Sequence, residues 1–407
     1  MEQQTPDCKS GTTVEFEGDV FLLLLEAMRQ VAKQERADVG TEVLLSALVS
    51  GDSAAGSAIA PGMNASSSLA VSIGCRAASV WISDDAEDGA AETPDDEREI
   101  DAFWRTVRQE EAKKLRRKNR KKKEQKPESI QLPTMTGALR SCLRKALESA
   151  REEGTVSVRV RHVARALFEL PDTRAREAMT VGKLNIPAVS NALDALPREG
   201  ERPEPGTVLI LRKAGTFGKA GNPLTRKFTA WVFGGGAGFG SAIVGVVHSE
   251  ARRAAVRRGA SKPEPVDVLL SILALDRSLT VAGRTLPERL TGANQGAELL
   301  RRYGARQDAV VRVLLPSTGV TEEQPPEIAD TTDFGRRLLH VAELTAAAQD
   351  SPTVGTTHLL AALLDETGTD AESAAEVHRV LTESGADVAG LREEPELQVP
   401  HGAGRAG

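Results

Sequence analysis

Val39-Gly40-Thr41-Glu42-Val43-Leu44-Leu45-Ser46-Ala47-Leu48 reads as a glycine turn, a threonine cap and an apolar helix. The pattern returns near the far end as Val354-Gly355-Thr356-Thr357-His358-Leu359-Leu360-Ala361-Ala362-Leu363. A hydroxyl at a helix start accepts from backbone N–H groups that the first turn leaves unpaired. Setting His358 against Val43, His162 and Asp267 brings out four cycles of one pattern. Sixteen residues upstream stand Ala27, Ala146, Ala251 and Ala342, and twelve upstream stand Val31, Ala150, Ala255 and Ala346. Four residues downstream stand Ala47, Ala166, Ser271 and Ala362, and five downstream stand Leu48, Leu167, Ile272 and Leu363. Mostly small residues at i and i+4 let a second helix cross closely, and Leu or Ile fills the space between.

Working outward, each cycle begins with an amphipathic helix such as FLLLLEAMRQVAKQE from Phe21, or GALRSCLRKALESAREEG from Gly137. Each continues past the second helix into shorter pieces. The third cycle gives Gly296 to Tyr303-Gly304 and then Ala309 to Leu314, and the fourth gives Ala375 to Leu381 followed by Ser384-Gly385-Ala386-Asp387. A group of three or four short helices cannot close its own core and pairs with a neighbour.

The A-x3-A spacing, then V-G-T-E-H-L-L-x-A-L, then a helix ending in "gad", resembles the N-terminal domain of the Clp chaperone ATPases. The likeness is strongest in the fourth copy and good in the first; in the second and third, Arg159-Val160 and Glu264-Pro265 replace Gly-Thr. The resemblance implies an all-α chain of two double domains, each a pseudo-twofold pair of four-helix repeats. The expected segments are 15–82, 134–197, 240–316 and 331–396, with a charged insertion at 83–133, a Gly/Pro-rich linker at 198–239 and a loose tail from 397. It also implies binding of substrate proteins, adaptors or cyclic peptide antibiotics, in an adaptor or decoy role toward a Clp ATPase. For phosphorylated arginine that family uses the V-G-T-E glutamate and a threonine at the start of the first helix. Glu42 with Thr41 matches the glutamate, Thr136 and Thr332 stand near helix starts, and Thr356 caps the last copy. The positions matching Glu42 are Arg161, Val266 and Thr357, so the carboxylate that pairs with a guanidinium stands in one copy of four.

The motor of that family is not in this sequence. Its rings need G-x4-GK[ST], and the nearest stretch, Gly215-Thr216-Phe217-Gly218-Lys219-Ala220, lacks both the spacing and the hydroxyl. The glycine run 234–240 has no GxGxxG register and reads as linker. No HExxH or GxSxG appears; Cys8, Cys75 and Cys142 are scattered, without a CxxC pair, which points to a reducing compartment. His162 and His358 fall at helix starts with no second ligand at i+3 or i+4, as packed or capping residues do. The expectation is a protein with no catalytic residues, no metal and no cofactor. Aromatics at 3% leave the cores to Leu, Val, Ile and Ala, which favours helix packing.

Two segments stand outside the repeats. Residues 84–101 hold ten Asp or Glu, and Lys113 to Lys126 is strongly basic and helical; the pair reads as an arm outside the core whose halves can neutralise each other. The basic half can instead hold nucleic-acid phosphates, the alternative function being a nucleic-acid-associated regulator. No aromatic lies within it, so base stacking is not indicated. Phe228 to Val247 is uncharged and long enough for a membrane helix, but its glycines argue for linker plus helix start. With a polar start at Met1 to Ser10 and no signal-peptide pattern, a cytoplasmic location is expected. Val208-Leu209-Ile210-Leu211 reads as a lone strand.

Overall fold

The computed structural model describes residues 14–76, 80–84, 93–122, 131–196, 204–218, 241–315, 333–365 and 371–398. These are mostly α-helical and fall into two compact units, 14–196 and 204–398. Among the described residues no helix is long and apolar enough to cross a membrane. Residues 228–240 of the glycine-rich segment lie outside the described residues.

The first unit opens with β1 (Glu15–Phe16) and α1 (Gly18–Lys33), then β2 (Asp38–Val39), α2 (Thr41–Ser50), α3 (Ala54–Ile59), α4 (Met63–Gly74) and α5 (Pro94–Lys122). It continues with β3 (Thr134–Met135), α6 (Gly137–Glu152), β4 (Ser157–Val158), α7 (Val160–Glu169), α8 (Arg174–Val181) and α9 (Ile186–Asp194). Both helices of the second cycle copy those of the first at an offset of 119 residues, from 18 to 137 and from 41 to 160. The two-residue strands have no counterpart in the sequence pattern, and they exchange partners between the copies. β1, which leads into α1, pairs in parallel with β4, which leads into α7. β3, which leads into α6, pairs in parallel with β2, which leads into α2. Each cycle thus satisfies the backbone of the other: Thr136 N donates to Val39 O at 3.2 Å, and Glu17 N to Val158 O at 3.1 Å. The small residues of the pattern, Ala27, Ala47, Ala146, Ala150 and Ala166, are all buried where the helices meet.

α5 corrects the reading of 83–133 as an arm outside the core. Ile100, Phe103, Trp104 and Val107 are buried in the core of the first unit, and Phe103 stacks on Phe16 with centroids 4.5 Å apart. Three of the acids in its first half turn to a neighbouring helix. Glu97 takes Arg140 at 2.6 Å and Arg144 at 2.8 Å, Asp101 takes Arg140 at 2.7 Å, and Asp96 takes Arg151, all three arginines being on α6. An acid-rich helix reads as solvated in sequence when its apolar residues are few. Here those few fall on one face and meet an arginine-bearing neighbour.

The second unit begins with α10 (Gly206–Lys213). The expected lone strand at 208–211 is helical: Val208 and Leu211, three residues apart, bury one face against the unit's core. Then come α11 (Ala242–Arg258), α12 (Pro265–Val281), the short α13 (Glu288–Thr291), α14 (Gly296–Arg302) and α15 (Gln307–Leu314). α16 (Asp333–Ala348), α17 (Thr356–Leu364), α18 (Ala371–Glu383) and α19 (Val388–Glu393) complete it. Ala251, Ala255, Ala342, Ala346 and Ala362 are buried here as their counterparts are in the first unit.

Candidate functional site

Thr41, Glu42 and Thr136 meet at one junction, where β2 and β3 bring the starts of α2 and α6 side by side. Glu42 is fully buried. Its carboxylate already holds guanidinium groups from this chain: Arg36 binds Oε1 directly, and Arg174 Nη1 lies 3.8 Å from it. Both arginines also reach Asp38, at 3.6 and 2.9 Å. Burial pushes the Glu42 carboxyl above the usual carboxylate range, against the pull of Arg36 and Arg174. Gly40 is extended (φ −100°), so it is not there for a left-handed turn; a Cβ would collide with the Glu42 carboxylate and the Arg174 guanidinium.

The centre of the junction is Asp84, fully buried and unremarked in the sequence except as one acid among ten. Its Oδ2 accepts from Thr41 N at 2.8 Å and Thr136 Oγ1 at 2.9 Å. Its Oδ1 accepts from Thr41 Oγ1 at 2.8 Å and Arg174 N at 3.0 Å. Thr41 Oγ1 in turn accepts from Ala175 N at 3.0 Å, and Thr136 Oγ1 from Leu139 N at 3.3 Å. Three helix N-termini, those of α2, α6 and α8, therefore converge on one carboxylate. Their positive ends and four donors compensate a buried charge that would otherwise be costly. The site that sequence alone would leave open to an anion and a guanidinium is filled by Asp84 and by Arg36 with Arg174. Neither the junction nor its two arginines shows as a motif, since its members come from 36 to 174.

The second unit closes the same helix start differently. Thr356 N donates to Asn294 Oδ1 at 2.9 Å, Thr356 Oγ1 accepts from Gly296 N at 3.2 Å, and Thr357 Oγ1 accepts from Gln295 N at 2.9 Å. Thr356 is buried, so it too faces the chain's own backbone. Thr332 lies outside the described residues. His162 and His358 are helix caps: Nδ1 accepts from Arg159 N at 2.9 Å and from Gly355 N at 3.0 Å. Asp267 does the same for Glu264 N at 2.8 Å, so three of the four aligned positions reach back to their helix start. Arg161, at the position of Glu42 in the second copy, pairs with Glu153 at 2.5 Å.

No family model matches this chain, and neither a curated protein nor a solved structure matches it significantly. What the arrangement can do must be read from its own groups. Cys142 is buried in the apolar core, donates to Val163 O at 3.6 Å, and burial pushes its thiol up, which favours the neutral form. Among the described residues no three of His, Cys, Asp and Glu gather as a metal would need. Four large apolar side chains of the first unit are exposed: Val71 on α4, Val80 and Ile82 on either side of Trp81, and Val181 on α8. Glu177 ties these pieces together, taking Ile82 N at 3.1 Å and the Arg76 guanidinium, which itself covers the Trp81 ring at 4.4 Å.

Proposed function

We propose that the chain is a non-catalytic protein- and peptide-binding module of Clp N-domain type, a pair of pseudo-twofold double repeats acting as an adaptor or decoy for Clp ligands. The reading is carried by the reciprocal strand pairing at a fixed 119-residue offset, which makes two helical repeats one body. It is supported further by the Gly-Thr helix starts of the first and fourth copies and by the small buried residues at matching positions of all four. The closed junction shifts where binding takes place. Because Asp84, Arg36 and Arg174 occupy the polar cradle, the contact with a partner falls on Val71, Val80, Ile82 and Val181, and a partner of matching chemistry is an extended apolar segment of an unfolded protein. Substrates, adaptors or peptide antibiotics of a Clp ATPase fit that description.

The test is binding of a fluorescent, permanently unfolded substrate protein, followed by addition of a Clp ATPase and its protease. Binding that weakens about tenfold in Val71→Glu/Val181→Glu, together with a changed rate of substrate degradation when the chain is present, supports the reading. Unchanged binding in that variant moves the contact elsewhere, and no effect on degradation removes the adaptor and decoy roles.

A further inference from the structure

The basic end of α5 has a geometry that the protein-binding reading does not use. The helix is held to the first unit by Trp104, Val107 and Ala112, and Lys113, Lys114, Arg117 and Lys118 beyond them are exposed, with Leu115 and Arg116 half-buried. The face that carries Val107 and Glu111 carries Lys118 further along, since residues seven and eleven apart share a helix face. The helical backbone continues from Lys113 to Lys122 for about 15 Å past Ala112. These ten residues hold eight Lys or Arg and no acid. Glu110 meets Lys113 at 3.8 Å across the surface, where an ion pair is worth little, and the buried Glu111 lies 4.0 Å from Lys114. Asp96, Glu97 and Asp101, which precede or open the helix's apolar stretch, are engaged by arginines of α6.

We propose that this projecting end is a nucleic-acid-binding arm that seats in the major groove of duplex DNA and holds its phosphates without reading sequence. The class of partner follows from how the charge is distributed. At 100° per residue the sequence spreads its eight cations over about two-thirds of the helix circumference, leaving Leu115 and Asn119 as one narrow strip. A membrane-surface helix needs a broad apolar face opposite its cations, which this one lacks. A flat acidic protein surface meets only one side of a helix. A groove with phosphates on both walls meets most of its circumference, and the B-form major groove is about 12 Å wide, enough for an α-helix. The chain carries a formal −6 and these ten residues alone +8, so the remainder carries −14. Phosphates repel that remainder, and the molecule approaches DNA by this end. A protein-binding body tethered to DNA through one helix is the result.

The test uses the full chain and a fluorescently labelled duplex of about 20 base pairs, by anisotropy across roughly 50 to 200 mM salt. Binding that falls steeply with salt is expected. In Lys113→Gln/Lys114→Gln/Arg117→Gln/Lys118→Gln the affinity should drop at least about tenfold. The log–log salt slope should fall by about 3 to 4, near 0.9 for each phosphate left without its cation. Gln keeps the helix, which circular dichroism checks, and the all-Arg version of the three lysines should bind as the parent does. Three results overturn the proposal: no duplex binding at the lowest salt, unchanged binding in the Gln variant, or tighter binding to polyglutamate or phosphatidylserine vesicles than to duplex. An A-form RNA duplex bound as tightly as DNA overturns the groove seating, because its major groove is too narrow for the helix. The substitutions lie on α5, whereas Val71 and Val181 lie on α4 and α8, so this outcome is independent of the protein-binding test.

Discussion

Asp84 shows how much one side chain can organise. It accepts from Thr41, Thr136 and Arg174 at once and so holds three helix starts together. Asp84→Ala leaves those donors buried without an acceptor, and the first unit should lose about 3 kcal/mol or more; Asp84→Asn, keeping one acceptor, should lose less. Urea unfolding of the two variants measures this, and a loss below about 1 kcal/mol in the Ala variant would mean the junction is open to water. The capping histidines give a second residue-scale outcome. Burial holds His162 and His358 below the ordinary histidine range, in His162 against the pull of Glu153 and with the help of Arg161 and Arg165. The unfolded chain then binds more protons than the folded one as pH falls from about 7 toward 5, so stability decreases across that window. At Glu153 burial is outweighed by hydrogen bonds from His162 and Arg161, which lower its carboxyl to about 2. Its contribution is lost only as pH falls below the ordinary carboxylate range, so Glu153 does not add to the histidine window. The urea midpoint should fall between neutral and mildly acidic pH, and His162→Asn/His358→Asn should flatten that dependence.

α5 divides into a structural half and a projecting half, and the two should behave differently. The first half is fixed by Trp104 and by arginines from α6. In the second, Lys113, Lys114, Arg117 and Lys118 are exposed. Hydrogen exchange should show amides of 100–112 protected and those of 115–122 exchanging quickly in the free protein. Trp104→Ala should cost about 3–5 kcal/mol and raise exchange along 100–112, because the helix then loses its largest anchor. Uniform protection along the helix would contradict this division. The other helices are shorter and owe their positions to small residues: α1 meets α2, and α6 meets α7, through Ala27, Ala47, Ala146 and Ala166.

At the level of the molecule there are two cores, one within 14–196 and one within 204–398. Each has its own buried apolar cluster. Separately expressed 14–203 and 204–398 should therefore each unfold cooperatively, and calorimetry of the intact chain should reproduce the two transitions. A fragment without a cooperative transition would show that its core depends on the rest of the chain.

The sequence by itself determined the helices that matter and their repetition. The alanines at fixed distances from Val43, His162, Asp267 and His358 are buried in all four copies, because close helix crossing demands small side chains wherever it occurs. That constraint is local and periodic, so it is written in spacing. Trp104 and Ile100 are equally visible as residues, yet among so many acids they do not suggest a packed helix until the arginines of α6 supply the partners. Gly40 and Gly355 are legible as required glycines but for the wrong reason: both are extended, and the room they leave is taken by the Glu42 and Arg174 side chains and by the Ala293 carbonyl. The fate of Thr41, Glu42 and Thr136 was decided only in three dimensions. Whether a carboxylate and two hydroxyls face a ligand or their own chain depends on which distant side chains fold onto them, and Asp84, Arg36 and Arg174 reach that junction by tertiary packing, which no local periodicity records.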